Sequence, residues 1–350
     1  RQTSLVSPPR GTFDEHQGTV AVQVVDRELK PLPGVRVDLS GAITGVMNTS
    51  SAGQGHETLV ATVLGEVLER DPDGIRVVHA DSLNALPSNS PVGSRMAIML
   101  GGAAAGAARQ IKAALLAIAA HGLQKDVSEL AYHDGSVSVI GDAGKTLTWD
   151  QLVEIAHRKF HQLPPGLEPG LQAKFVWEVP TGGGLPTADG RIQMYPCFSF
   201  EAHVVLVEID PATGQPKLLR YVCGHDCGVM ISPDIVHGMT FGGIAHGIGA
   251  ALYEKFAYSE NGQLESQSFM DYLIPTALEV PPIAIVDHCT PSPHTTFGQK
   301  GSGEAGYLGA PAAIACAIND ALAPLGATIA ELPMTPLQIW KRMQLARSGN

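Results

Sequence analysis

The chain has 350 residues, 44% of them apolar, enough to bury a substantial core in one large domain or two packed ones. A net charge of −11 and a pI near 5.6 argue against nucleic acid or an anionic membrane surface, which need clustered lysine and arginine, and leave a small molecule or a protein as partner. Cys197, Cys223, Cys227, Cys289 and Cys316 are an odd number without a dense framework, as expected where thiols stay reduced, so the cytoplasm is the expected compartment.

Residues 1–17 are polar, punctuated by Pro8, Pro9 and Gly11, and read as an arm or linker with no secretory signal. The chain begins at Arg1 without an initiator methionine, so the natural polypeptide is expected to be trimmed or longer. TVAVQVVD (19–26) and VRVDLS (35–40) read as strands around Pro31, Pro33 and Gly34. After the loop NTSSAGQG, the spacing of Leu59, Val63 and Val67 predicts a helix over 58–70, broken by Asp71, Pro72 and Gly74 before a strand at 75–80. A helix from Ser94 to His121 is built of Ala, Gly and Leu, small enough for close packing. Arg109, Gln110 and Lys112 interrupt its apolar run, so it reads as a buried helix and not a membrane span.

Residues 126–156 read as a peripheral insert, with a hairpin around Asp134-Gly135 and an amphipathic helix beginning at Asp150. Residues 180–190, rich in Gly, Pro and Thr, should be a loop near a site. FSFEAHVVLVEID (198–210) and PKLLRYVCGHD (216–226) form a hairpin across Pro211–Gln215. Two further segments, 238–252 and 298–322, each read as a Gly-dense loop running into a small-residue helix. The expected division is an arm (1–17), a domain of two packed halves (18–180 and 181–340) and a C-terminal tail (341–350).

Three Gly-dense loops, at 53–55, 92–95 and 301–306, each precede a predicted helix. Glycine lets backbone amides approach a ligand, and a helix start offers unpaired N–H groups and a positive dipole end to an anion. Any one of the three reads equally as a simple turn or cap; their recurrence points to one large anionic cofactor. The spacing fits neither a Walker A loop nor GxGxxG after a strand. The patch Cys223, His225, Asp226, Cys227 lacks a second ligand pair at zinc spacing and reads as a structural loop.

SSAGQGHET, SPVGSRMA, VEIDPATGQPKLLRYV, DCGVMISPDIVHG, GGIAHGIGAALYE, FMDYLIPTA and GQKGSGEAGYLGAPAAIACAINDAL occur in the order seen in molybdenum hydroxylase large subunits. Over most of residues 40–330 the chain resembles the second, C-terminal molybdopterin-binding domain of the xanthine dehydrogenase, aldehyde oxidoreductase and aerobic carbon monoxide dehydrogenase family. The resemblance implies an α/β fold of mixed α+β character, with mixed sheets and packed small-residue helices. It makes Glu304 the general base, which deprotonates a Mo–OH group whose oxygen attacks an electron-poor carbon while hydride passes to Mo=S; water is the oxygen source. The substrate is then an N-heterocycle, an aldehyde or a similar carbon. Taken alone, Glu304 reads as a carboxylate stabilising a helix start.

The same resemblance assigns cofactor contacts to Gly53, Gln54 and Gly55, to Gly93, Ser94 and Arg95, to His246, and to Lys300, Gly301 and Gly303. Gln54 would hydrogen-bond the pterin, and the amides, hydroxyl and guanidinium of the VGSR turn would meet phosphate oxygens. Relatives often carry Gln at the positions of His246 and Met239, and methionine cannot donate. The implied cofactor is molybdopterin cytosine dinucleotide with Mo, held by its own sulfurs without a protein ligand and shared with a partner chain. The preceding molybdopterin domain is missing from the 350 residues, so a second chain bearing it is expected, together with an iron–sulfur subunit carrying [2Fe–2S] clusters and an FAD subunit. Other readings are hydration or reduction of a cyclic substrate within the same family, or a non-catalytic scaffold that keeps the cofactor-domain fold.

Overall fold

The computed structural model describes residues 34–79, 91–178, 186–193 and 195–348; the expected arm, the strand at 19–26 and the first part of the 180–190 loop lie outside them. Strand β1 (Gly34–Val37) turns at Asp38, whose carboxylate accepts from the backbone and hydroxyl of Ser40, and returns as β2 (Ile43–Met47). Helix α1 (His56–Leu68) buries Leu59, Val63 and Leu64 as its spacing requires, and β3 (Arg76–His79) then pairs parallel to β2. Helix α2 (Met96–Leu123) follows. After it come β4 (Leu130–His133), β5 (Ser136–Val139) and β6 (Asp142–Leu147), a small antiparallel sheet whose first turn places Asp134 and Gly135 at positive φ. A Thr148–Gln151 capping box starts α3 (Trp149–His157), and β7 (Leu171–Ala173) adds to β1, giving a sheet of order β3-β2-β1-β7.

The second half is built on the hairpin β8 (Phe200–Ile209) and β9 (Pro216–Asp226), as its sequence predicts. Helix α4 (Pro233–Leu252) leads to β10 (Ile283–Asp287), parallel to β9, and then come α5 (Ala305–Leu308), α6 (Ala310–Leu322) and α7 (Pro336–Arg347). Each half has its own core. Val37, Leu64, Ile111, Leu115 and Leu152 belong to one; Tyr221, Ile244, Ile248, Ile314 and Ile339 belong to the other.

Three expectations change. The segment 126–156 is not peripheral, because Val137, Trp149, Leu152 and Val153 are part of the first core. The Gly-rich stretch from 238 is not a loop before a helix: α4 is already helical from Pro233, and Gly243 and Gly247 serve packing. A Cβ on Gly243 would lie 2.8 Å from the Tyr307 backbone nitrogen, and one on Gly247 would lie 2.5 Å from the Ala310 Cβ. The tail expected from 341 is helical to Arg347, and Met343 is buried in the second core.

By length and composition alone, Met96–Leu123, Pro233–Leu252 and Ala305–Leu325 are apolar enough to cross a membrane. Helix α2 accounts for its composition inside the fold: Phe175 and Trp177 lie directly against Gly106 and Gly102, where a Cβ would meet their rings at 2.2 and 2.6 Å. The stretch from Ala305 is broken at Gly309 and again at Ala323, into α5, α6 and a 3-10 turn.

Between β8 and β9 lies a buried polar network. Glu201 accepts from His225 Nδ1 at 2.6 Å and pairs with His203 Nε2 at 3.0 Å, and His203 Nδ1 meets the Tyr221 hydroxyl at 2.8 Å. Burial opposes the charge on His225, but Cys227 and the Glu201 carboxylate outweigh it and push its pKa up to about 9. Burial likewise raises the Glu201 carboxyl, yet His203 and His225 hold it below its ordinary value. A raised histidine stabilises fully below its ordinary value of 6.5, and that contribution is lost as pH rises through the folded value. We therefore expect Glu201→Gln to cost about 3 kcal/mol near neutrality, the scale of breaking a buried pair, and to reduce the fall in melting temperature between pH 7 and 10. Parallel curves for wild type and variant over that range would show that the pair is not charged.

Candidate functional site

All three Gly-dense loops meet at one cavity of about 230 Å³ between the two halves. Its wall includes Gln54 and Gly55 at the start of α1, Ser94 and Arg95 at the start of α2, and Lys300, Gly301, Gly303 and Glu304 before α5. The far side is apolar, from Ile231, Ile235 and Met239 on and before α4. Helices α1 and α2 thus turn their N-terminal ends to the same space, an arrangement that favours an anionic guest.

The 301–304 loop is held by backbone against backbone. A Cβ on Gly301 would sit 1.3 Å from the Ser94 carbonyl oxygen, so only glycine fits there. Gly303 is exposed, and a Cβ on it would meet Met239 and Ser94 at ordinary distances of 3.7 and 3.8 Å. Ser94 itself has φ +51, rare for a residue with a side chain. Its hydroxyl accepts from the Glu304 backbone N–H at 3.0 Å and donates to Glu304 Oε2 at 2.9 Å.

Lys300 is buried, and its ammonium goes to Asp226 at 3.2 Å and to the Thr290 hydroxyl at 2.6 Å. Burial works against the Asp226 charge, but Thr290, Gly228 and Lys300 together hold its carboxyl far below the usual range. The ion pair ties the loop before α5 to the end of β9, so Lys300 braces the wall and its charge is already balanced.

The remaining expected contacts divide. Gln54 lines the cavity, but its Oε1 already accepts from Ala52 N at 2.6 Å, which leaves the NH₂ group as its natural offering. Gly53 and Gly93 belong to the same loops at φ +97 and +67 without lining the cavity. His246 is exposed on α4, with its ring 4.5 Å from that of Tyr307, and it does not line the cavity either. Because α4 is a continuous helix, His246 lies two turns, roughly 10 Å, beyond Met239, which does line it.

Two buried polar wall residues escaped the sequence reading. Gln299 is buried and ties the loop to α2, accepting from Phe297 N at 2.8 Å and donating to Ala97 O at 3.0 Å. His56, the first residue of α1, is buried in the wall, and its Nδ1 has no hydrogen-bond partner among the described residues. Both adjoin the Gly-dense loops, and that adjacency was the available signal.

A family model for the molybdopterin cofactor-binding domain matches residues 22–281. The chain belongs to that family. It is 36% identical over 305 residues to the nicotine 6-hydroxylase large subunit of Paenarthrobacter nicotinovorans, covering 87% of this chain and 36% of that protein. It is 33% identical over 310 residues to the carbon monoxide dehydrogenase large chain of Hydrogenophaga pseudoflava, covering 89% and 36%. Among solved structures it is similar to quinoline 2-oxidoreductase of Pseudomonas putida 86, with a TM-score of 0.79 and 33% identity over 89% of this chain and 38% of that one. It is also similar to a Cu,Mo-containing CO dehydrogenase, with a TM-score of 0.80 and 32% identity over 89% and 37%. The chain therefore spans little more than a third of the length of the relatives it matches.

The cavity suits a molybdopterin cofactor on its own terms. Two helix starts and Arg95 suit an anion, the amide of Gln54 can donate, and His56 Nδ1 is an unspent polar atom in the wall. The close approach at Gly301 gives a direct check. Gly301→Ala should destabilise the domain by roughly 3 kcal/mol, the upper range for overpacking, while Gly303→Ala should stay within about 1 kcal/mol of wild type. Equal denaturation midpoints for the two variants would remove the backbone contact from the account.

Proposed function

We propose that this domain is part of a molybdenum hydroxylase in which Glu304 is the general base for oxidation of an N-heterocycle, an aldehyde or a similar electron-poor carbon, with water-derived oxygen entering the product. The observation that carries this reading is the convergence of the three loops on one cavity with the Glu304 carboxylate at its mouth. The similarity to nicotine 6-hydroxylase and quinoline 2-oxidoreductase, both named for action on nitrogen heterocycles, supports the substrate class.

The cofactor, which we take to be molybdopterin cytosine dinucleotide, supplies the two-electron acceptor and the centre at which water is activated. Its pterin would meet the Gln54 NH₂ and the amides of the 301–303 loop; its phosphates would meet Arg95 and the start of α2. With Oε2 held by Ser94, Glu304 Oε1 is the oxygen left to take the proton from the attacking nucleophile. Apolar Ile231, Ile235 and Met239 keep water from the opposite wall.

In the complete enzyme, Glu304→Gln should leave molybdenum content nearly intact and lower turnover by roughly two orders of magnitude or more, the scale of losing a positioned base. Turnover within a few fold of wild type would remove Glu304 from the mechanism.

The domain also requires the rest of its large subunit, carried on the same or a second chain, with an iron–sulfur and an FAD subunit to take the electrons onward. One face of the β8–β9–β10 sheet supports this: Phe200, Val204, Leu206 and Val286 are 57–66% exposed, while the opposite face packs in the second core. An apolar sheet face of this kind is rare on an isolated soluble domain. The 350-residue chain expressed alone should therefore self-associate or lack cofactor, as read by size-exclusion chromatography with mass and molybdenum measurement. A well-behaved, cofactor-loaded monomer that oxidises substrate would overturn the requirement.

A further inference from the structure

We propose that Ser94 is the positioning residue for Glu304, fixing the carboxylate through its hydroxyl, and that the hydroxyl is not a contact to cofactor phosphate. The proposal rests on Glu304 being the base.

A serine hydroxyl has one hydrogen to donate and two lone pairs. The hydrogen is directed to Glu304 Oε2 at 2.9 Å, and one lone pair takes the Glu304 backbone N–H at 3.0 Å. What remains is a single lone pair, which cannot donate to an anionic oxygen. The group that the sequence offered as a phosphate donor is committed to the neighbouring carboxylate.

The commitment is rigid at both ends. Side chain and backbone of the same glutamate are gripped by one oxygen atom, which fixes the carboxylate relative to its own main chain. Ser94 occupies a left-handed backbone position that a side-chain-bearing residue rarely adopts, and strain of this kind persists where the surroundings enforce it. Here the enforcement is visible: the Ser94 carbonyl occupies the place of the absent Gly301 side chain. The donated hydrogen bond goes to a carboxylate oxygen and holds that oxygen in place. The hydroxyl thus orients the base.

The backbone at Ser94 supplies the control. Glycine tolerates φ +51 better than serine does, so Ser94→Gly removes the hydroxyl without asking more of the fold. In the holoenzyme, Ser94→Gly should keep its molybdenum content and a melting temperature within a few degrees of wild type. Its kcat should fall roughly ten- to a hundredfold, the scale of a misplaced catalytic group, with KM little changed. Combined with Glu304→Gln, Ser94→Gly should add nothing, because a residue acting only through the base has no effect once the base is gone. Loss of molybdenum from Ser94→Gly, or the same fold-loss in both backgrounds, would overturn the proposal in favour of a cofactor contact. Full activity in Ser94→Gly beside an impaired Glu304→Gln would overturn the positioning role alone. Full activity in Glu304→Gln would overturn the reading of Glu304 and the proposal with it.

Discussion

The contact on which the site depends is made of main chain. The carbonyl of Ser94 fills the volume that any side chain on residue 301 would need, so the start of α2 and the loop before α5 meet without an intervening side chain. The same device recurs on the other side of the loop, where a Cβ on Gly306 would lie 2.4 Å from the Thr240 carbonyl oxygen of α4. Glu304 is therefore carried on a strip of backbone gripped from two directions. Main-chain contacts of this kind are stiffer than side-chain ones, since no rotamer change can absorb a displacement. Under the proposed reading of Glu304 as a base, a carboxylate that must be held to a fraction of an ångström is carried on a loop gripped by backbone.

The rest of the architecture supports this strip. Lys300 and Gln299, immediately before it, are spent on Asp226 and on the first turn of α2, so the loop is tied to both halves of the fold. Those halves have separate cores, and the cavity is the seam between them, a common place for ligands because no single core has to open to receive one. The β8–β9–β10 sheet keeps its buried face for the second core and leaves Phe200, Val204, Leu206 and Val286 exposed on the other.

The sequence was most legible where local chemistry decides the outcome. The hairpin at β8 and β9 follows from two β-rich runs around a turn, and the helix after Gly55 follows from the spacing of Leu59, Val63 and Val67. The three loops could be named before any fold was known, since glycine density ahead of a helix is visible in one dimension. The failures have a common cause. The Gly-dense segment from 238 was read as a loop running into a helix, whereas α4 is already helical there and packs Gly243 and Gly247 closely against the α5 and α6 segment. His246, assigned to the cofactor by the resemblance, sits on the continuous α4 about two turns beyond Met239 and does not line the cavity. The roles of Lys300 and Ser94 were out of reach because they depend on partners 74 and 210 residues away.

That last separation also bears on how the molecule comes together. Ser94 and Glu304 are joined by a hydrogen bond spanning 210 positions of chain, while each core is assembled within one half of the sequence. The entropy of closing a loop grows only slowly with its length, so a separation of this size is no obstacle to the contact. The cavity wall is complete only where segments remote in sequence come together, so its shape reports on both halves of the fold at once.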